Sequence, residues 1–153
     1  MKVIFYVAPV PASRPRVTRF STFFPKKYTK YKEDMKMATA NILFKPFDGN
    51  VYAQLDFFVP MAKSWSKKKK LAKQGTYCDN NADIDNYCKA ILDSLNGVYY
   101  EDDKQVVMLK ARMFWANTPR TEVTITKLEE SNDENRDVYK TGGRLCGQGC
   151  KSR

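Results

Sequence analysis

Residues 83–107 read DIDNYCKAILDSLNGVYYEDDKQVV, a run that holds a helix, its stop and the start of a strand. Ile84, Cys88, Ile91 and Leu95 recur at helical spacing with Tyr87 and Leu92 beside them, so a helix over 83–95 lays an apolar stripe on a core. Asn96-Gly97 ends it, because glycine takes the left-handed backbone that closes a helix without steric cost. Asp85 and Lys89 fall one turn apart at the border of the stripe, which predicts a pair half-desolvated at the rim of the core. Carboxylates stand at both ends of the run: Asp83 and Asp85 where the helix begins, Asp102 and Asp103 before the next strand.

Outward from this run the periods change. Val51, Ala53, Leu55 and Phe57 alternate with Tyr52, Gln54, Asp56 and Phe58, the pattern of a strand over 51–59. Tyr31, Met35, Ala38 and Ile42 place a helix over 28–43, with Thr29 as its N-cap and Pro46 just past its end. Residues 2–8 read as a first strand, and 67–72 as a short basic helix followed by a loop. Strands over 105–116 and 122–128 are separated by a turn at Asn117–Arg120 that contains Pro119. The expected architecture is an α+β domain over residues 1–128, a mixed sheet of order β-α-β-α-β-β with helices packed on it. The apolar pattern stops at Glu129, and residues 129–153 are expected to form a flexible C-terminal tail.

A chain of 153 residues with 42% apolar content can bury one core, and it has no run approaching the ~20 apolar residues of a membrane span. The first apolar run is short, β-branched and ends at Pro9 and Pro11, so it reads as a strand rather than a signal peptide. Four cysteines, at 78, 88, 146 and 150, are too sparse for a disulfide framework, which points to a reducing cytoplasm. There is no histidine, which excludes histidine general bases, Cys–His dyads and Cys2His2 zinc sites. Cys146 and Cys150 are read as inert, exposed thiols.

The formal net charge is +10, so the molecule attracts polyanions while its acidic cluster repels them. A divalent cation reconciles the two. Carboxylate oxygens are hard ligands suited to Mg²⁺, with Mn²⁺ a possible substitute, and the combination suggests metal-assisted phosphodiester chemistry on nucleic acid. Taken singly, Asp83 is an ordinary N-cap, Asp85 is what the helix dipole favours, and Asp102 and Asp103 are a polar turn. Their combination with Lys89 is what suggests a metal site. Lys89 itself reads either as an i,i+4 partner of Asp85, worth ~0.3–0.5 kcal/mol, or as a charge aimed at the scissile phosphate.

The arm over residues 9–27 carries Arg14, Arg16, Arg19, Lys26 and Lys27 with no acid among them, and Lys67, Lys68, Lys69 and Lys70 follow later. By default such runs are solvated surface. Interleaving with Phe20, Phe23, Trp65 and Tyr77 favours nucleic acid instead, since cations track phosphates while aromatic faces stack on exposed bases. A membrane-binding surface would need an amphipathic basic helix, and the sequence has none.

The run DIDNYCK followed by EDDKQVV, with RPRVTR, PKKYTKYK and KSWSKKKK upstream, resembles the RusA family of Holliday-junction resolvases, especially members encoded by phages and prophages. The resemblance covers roughly residues 3–128. It implies a homodimeric, Mg²⁺-dependent endodeoxyribonuclease that cuts four-way DNA junctions in recombination and repair, in the cytoplasm of a prokaryotic or phage-infected cell. Carried over residue by residue, it implies that Asp83 and Asp85 are the first two catalytic acids and Lys89 the catalytic lysine. Alignment through Gln105-Val106-Val107 puts Asp103 on the third acid and Asp102 on the acid before it, leaving both as candidate metal ligands. Two rival readings stay open: a Mg²⁺ nuclease for flaps or single strands without junction preference, and a non-catalytic DNA-binding module.

Overall fold

Alternation along β4 (Val51–Pro60) organises the molecule: Val51, Ala53, Leu55, Phe57 and Val59 are buried on one face, while Tyr52, Gln54 and Phe58 are half-buried on the other. The structure, a computed structural model, describes residues 1–80 and 82–129. The expected tail beyond residue 129, with Cys146 and Cys150, lies outside the described residues. The other elements are β1 (Lys2–Phe5), β2 (Arg16–Val17), β3 (Thr22–Phe23), α1 (Lys26–Thr39), α2 (Lys67–Lys73), α3 (Ile84–Leu95), β5 (Val106–Ala116) and β6 (Arg120–Lys127). Four strands form one sheet of order β1-β6-β4-β5, antiparallel except for the parallel pair β4/β5. A parallel pair needs a long crossover, and the segment bearing α2 and α3 supplies it.

The fold is therefore α+β with a mixed sheet, as the sequence implies. One sheet face packs against α1 and α3. Tyr28, Tyr31 and Met35 of α1 and Tyr87, Ala90, Ile91 and Leu95 of α3 close over Leu55, Phe57, Val123 and Ile125. Each fully buried Met, Ile, Leu, Phe or Val among them contributes about 1.5–3 kcal/mol by leaving water. The opposite face is polar and held by side-chain pairs. Asp56 of β4 lies opposite Arg112 of β5 and accepts two hydrogen bonds from its guanidinium, at 2.7 and 2.8 Å. Burial alone would raise the Asp56 carboxyl, but the bonds from Arg112 and Gln54 outweigh it and hold the group below the usual carboxylate range.

Three expectations are corrected. The first helix starts and ends earlier than 28–43, with Pro25 rather than Thr29 in the capping position. Its buried stripe is Tyr28, Tyr31, Met35 and Thr39, and Ala38 is exposed, because burying the two large tyrosine rings in the core sets the helix rotation. The first strand stops at Phe5 instead of Ala8, and the arm contains the β2–β3 hairpin that no apolar period announces. As expected, the short basic helix α2 forms at Lys67–Lys73; it buries none of its residues, and α1 and α3 are the helices that pack on the sheet.

Candidate active site

The first turn of α3 exposes Asp83, Asp85 and Lys89. Asp83 occupies the N-cap position with an extended backbone, yet its side chain makes no capping bond, so that carboxylate is not consumed by the helix end. Asp85 Oδ1 accepts from the Asn86 backbone N–H at 2.8 Å. Among the described residues no ion pair joins Lys89 to Asp85. Exposure replaces the half-desolvation expected of this pair. The physical reason is the rotation of α3: its buried arc is Tyr87, Cys88, Ala90, Ile91 and Leu95, whereas Ile84, counted into the stripe from sequence, is 41% exposed. The arc thus centres on Ile91 and turns Asp85 and Lys89 outward.

Opposite α3 stands the loop that leads into β5. Gly97, with φ +74°, takes the left-handed conformation after α3, and Tyr99 and Tyr100 then plunge into the core. The Tyr100 hydroxyl donates to the Leu92 carbonyl at 2.9 Å, tying the loop back to the helix. Residues 103–105 form a single 3₁₀ turn capped by Asp102, whose Oδ1 accepts from the Lys104 N–H at 2.9 Å. Gln105 completes the box. Its Oε1 accepts from the Glu101 and Asp102 N–H groups, and its Nε2 donates to the Phe47 and Gly49 carbonyls at 2.9 and 2.8 Å. Capping thus occupies Asp102, while Asp103 is left to face the groove.

That groove has a volume of about 450 Å³ and is lined by Ile84, Asp85, Cys88, Lys89 and Leu92 of α3, by Asp103, and by Leu109 and Ala111 of β5. Two carboxylates and an ammonium therefore share a trough with apolar walls. Partial desolvation there, followed by the adjoining Asp102 carboxyl, raises the Asp103 carboxyl above its ordinary value. The Lys104 N–H holds Asp102 below its own. Asp83 lies just before the helix and is not part of the groove lining, and neither is Asp102. Oxygen-only donors of this kind fit a hard divalent cation, which commonly takes one or two protein carboxylates and completes its shell with water and phosphate oxygens. Among the described residues no three acidic or cysteine side chains stand close enough together to chelate an ion unaided.

The basic arm is tied to the same helix turn. After Pro9 and Val10, which are buried, the Ala12 N–H donates to the Asn86 carbonyl at 2.8 Å, next to Asp85. From this tether the chain runs out into exposed Arg14, Arg16 and Arg19, none of which forms an ion pair among the described residues. The lysines 67–70 lie on a different element, α2, which Ser66 caps. The aromatic partners expected for bases divide. Phe20, Phe23 and Tyr77 are exposed, but Trp65 packs edge-on against Trp115 at 5.1 Å beneath the Lys69 ammonium, and so is not open for stacking.

Sequence reasoning did not anticipate the Gln105 knot, the Ala12–Asn86 tether or the apolar groove walls. No local signal exists for the knot, because Phe47 and Gly49 lie far from Gln105 in the chain.

An open groove that brings carboxylates and a lysine together, on a basic α+β domain with arginines alongside that form no ion pair among the described residues, is compatible with chemistry on phosphodiesters. The family model for endodeoxyribonuclease RusA matches residues 7–126. An uncharacterized protein of Bacillus subtilis (strain 168), YqaN, is 32% identical over 139 residues, covering 84% of this chain and 96% of that protein. The chain belongs to the RusA endodeoxyribonuclease family, and with it to the DNA nucleases. Among the described residues, no helix is long and apolar enough to cross a membrane.

Proposed function

We propose that this protein, through a domain spanning residues 1–128, cuts branched DNA, four-way junctions foremost, in a reaction that needs Mg²⁺ or Mn²⁺. The observation that carries the reading is the shared groove: Asp85, Lys89 and Asp103 line it together, and the Asp102–Gln105 box leaves Asp103 available. Asp85 and Asp103 would hold the cation, with Asp83 supplying a further carboxylate from the helix start, and Asp103 serves rather than Asp102. A divalent cation there would supply Lewis acidity and offset charge on the scissile phosphate. Lys89 places its ammonium beside the same phosphate, where it stabilises charge that develops as the P–O bond breaks. The discriminating experiment compares a synthetic four-way junction with linear duplex of the same arm sequence, in Mg²⁺ and then in EDTA. Paired cuts in the junction alone, abolished by EDTA, are expected. Equal cutting of flaps or linear DNA would replace the junction reading with the less selective one.

Arg14, Arg16 and Arg19, together with Lys67, Lys68, Lys69 and Lys70, are proposed to contact phosphates. Each neutralised phosphate adds about −0.9 to the slope of log affinity against log salt on duplex arms. Replacing the three arginines with glutamine is therefore expected to weaken binding and flatten the slope by up to about 2.7. An unchanged slope would assign the arm to solubility alone.

The working unit is proposed to be a homodimer, since an isologous pair presents two equivalent sites to two equivalent strands. Support comes from β5. Among the described residues, 75–78 cover the edge of β5 near residues 113–115 and no strand pairs with the rest of that edge, where Val107, Met108 and Leu109 are exposed. A long exposed apolar edge strand is a template for pairing with another chain. Sedimentation should give twice the 17.7 kDa chain mass, and Met108→Glu should shift it toward the monomer. A monomer that still makes paired cuts would leave the dimer unsupported.

A further inference from the structure

The β2–β3 hairpin presents Phe20 with 91% of its surface in water, and the argument for a role begins with how rigidly it is presented. Arg19 and Phe20 are the central residues of a turn closed by Thr18 and Ser21. The Thr18 N–H donates to the Ser21 carbonyl at 2.8 Å, the Ser21 N–H to Thr18 Oγ1 at 3.0 Å, and the Thr18 hydroxyl to the Ser21 carbonyl at 2.9 Å. Three bonds across four residues make a stiff tip. Single exposed apolar residues are common and need no explanation. Here, however, Val17, Phe23 and Phe24 are exposed on the same short arm, and the arm interleaves them with arginines.

We propose that Phe20 is a wedge that enters the base stack at the branch point of bound DNA and opens the step beside the groove. This inference rests on the branched-DNA reading above. Charge decides the occupant: Arg14, Arg16 and Arg19 have no acidic neighbour on the arm and no ion pair among the described residues, which suits a phosphate backbone on either side of an inserted ring. An apolar protein groove would instead leave three guanidiniums facing it. Apolar side chains that insert between base steps unstack and kink the duplex, and the cost is least where stacking is already interrupted, as at a branch. The hairpin also has a mechanical link to the chemistry. Its root is tied by Ala12 to Asn86, adjacent to Asp85, so a step opened by the ring is held in register with the groove. Phe20 acts as a positioning residue, through the DNA rather than on the reacting atoms.

The test uses the full chain and a four-way DNA junction with 2-aminopurine at the branch point. In EDTA, wild type is expected to raise the 2-aminopurine fluorescence on binding. Phe20→Ala is expected to bind the junction within about threefold of wild type yet give no rise, and in Mg²⁺ to cut it at least about tenfold more slowly. Phe20→Trp should restore both. A junction built with unpaired bases at the branch should bring Phe20→Ala cleavage back to within about threefold of wild type, since the opening is already done. Melting of Phe20→Ala should match wild type. A wild-type fluorescence rise and rate in Phe20→Ala would overturn the wedge while leaving the nuclease reading intact. Slow cleavage that the pre-opened junction fails to rescue would overturn it as well, reducing Phe20 to a contact. Wild-type protein that cuts no branched DNA would overturn the branched-DNA reading and the wedge together.

Discussion

Asp85→Asn and Asp103→Asn are each expected to lower the single-turnover rate on a four-way junction by at least about 10³-fold, while Asp102→Asn keeps most of it. The amide is nearly isosteric with the carboxylate but carries no charge, so it cannot offset a divalent cation in the groove. Junction binding should be unchanged or tighter in both variants, because a charge that repels phosphate has gone. Asp102→Asn has a different consequence. Its carboxylate caps the 3₁₀ turn through the Lys104 N–H, a bond the asparagine amide oxygen can also accept, whereas Asp102→Ala removes the cap and should cost about 0.5–2 kcal/mol of stability. Rate thus separates the two groove acids from Asp102, and the melting temperature of Asp102→Ala reports the cap. Wild-type turnover in Asp85→Asn would remove the basis for the metal site. A larger rate loss in Asp102→Asn than in Asp103→Asn would reverse the assignment of the third acid.

Lys89→Ala is expected to lose about 10²–10³-fold in the same single-turnover assay, the range seen when one preorganised charge-stabilising donor is removed from an active site. Its melting temperature should hardly move. Lys89 is exposed and forms no ion pair with Asp85, and even a surface pair would contribute only about 0–1 kcal/mol. The loss should fall on the cleavage step rather than on binding, with the salt dependence of affinity nearly unchanged, because one ammonium among many basic groups adds little to phosphate contact. Lys89→Arg should recover part of the rate, since the charge is retained with altered reach and shape. A variant that melts far below wild type, while its folded fraction cuts normally, would make Lys89 a structural residue.

The residues that were readable in advance share one property: their signal is local. The alternation from Val51 to Val59 says which side of β4 meets the core, and it does so within the strand itself. The period from Tyr87 to Leu95 and the glycine at 97 mark a helix and its end in the same way. Where the local signal was thin, the reading slipped. In α1 the buried stripe takes in Tyr28 and Thr39 and leaves Ala38 exposed, and in α3 one exposed isoleucine was enough to misplace the rim. Trp65 was counted as an open stacking surface because nothing nearby in the chain reveals that Trp115 covers it.

By itself the sequence determined that strands and helices alternate into an α+β sheet, that the chain is strongly basic, and that acids cluster around one helix beside a lysine. Tertiary structure alone decided which acid faces the groove, because Gln105 must find the Phe47 and Gly49 carbonyls before Asp102 is committed to its cap. It also decided the strand order, which puts β5 at the edge of the sheet, and the tether that brings the arm beside Asp85. Side-chain periods of 2.0 and 3.6 residues record a segment's orientation toward the core. They carry no record of which distant backbone group will close against it, since that is settled only when the loops close and the buried polar groups find partners.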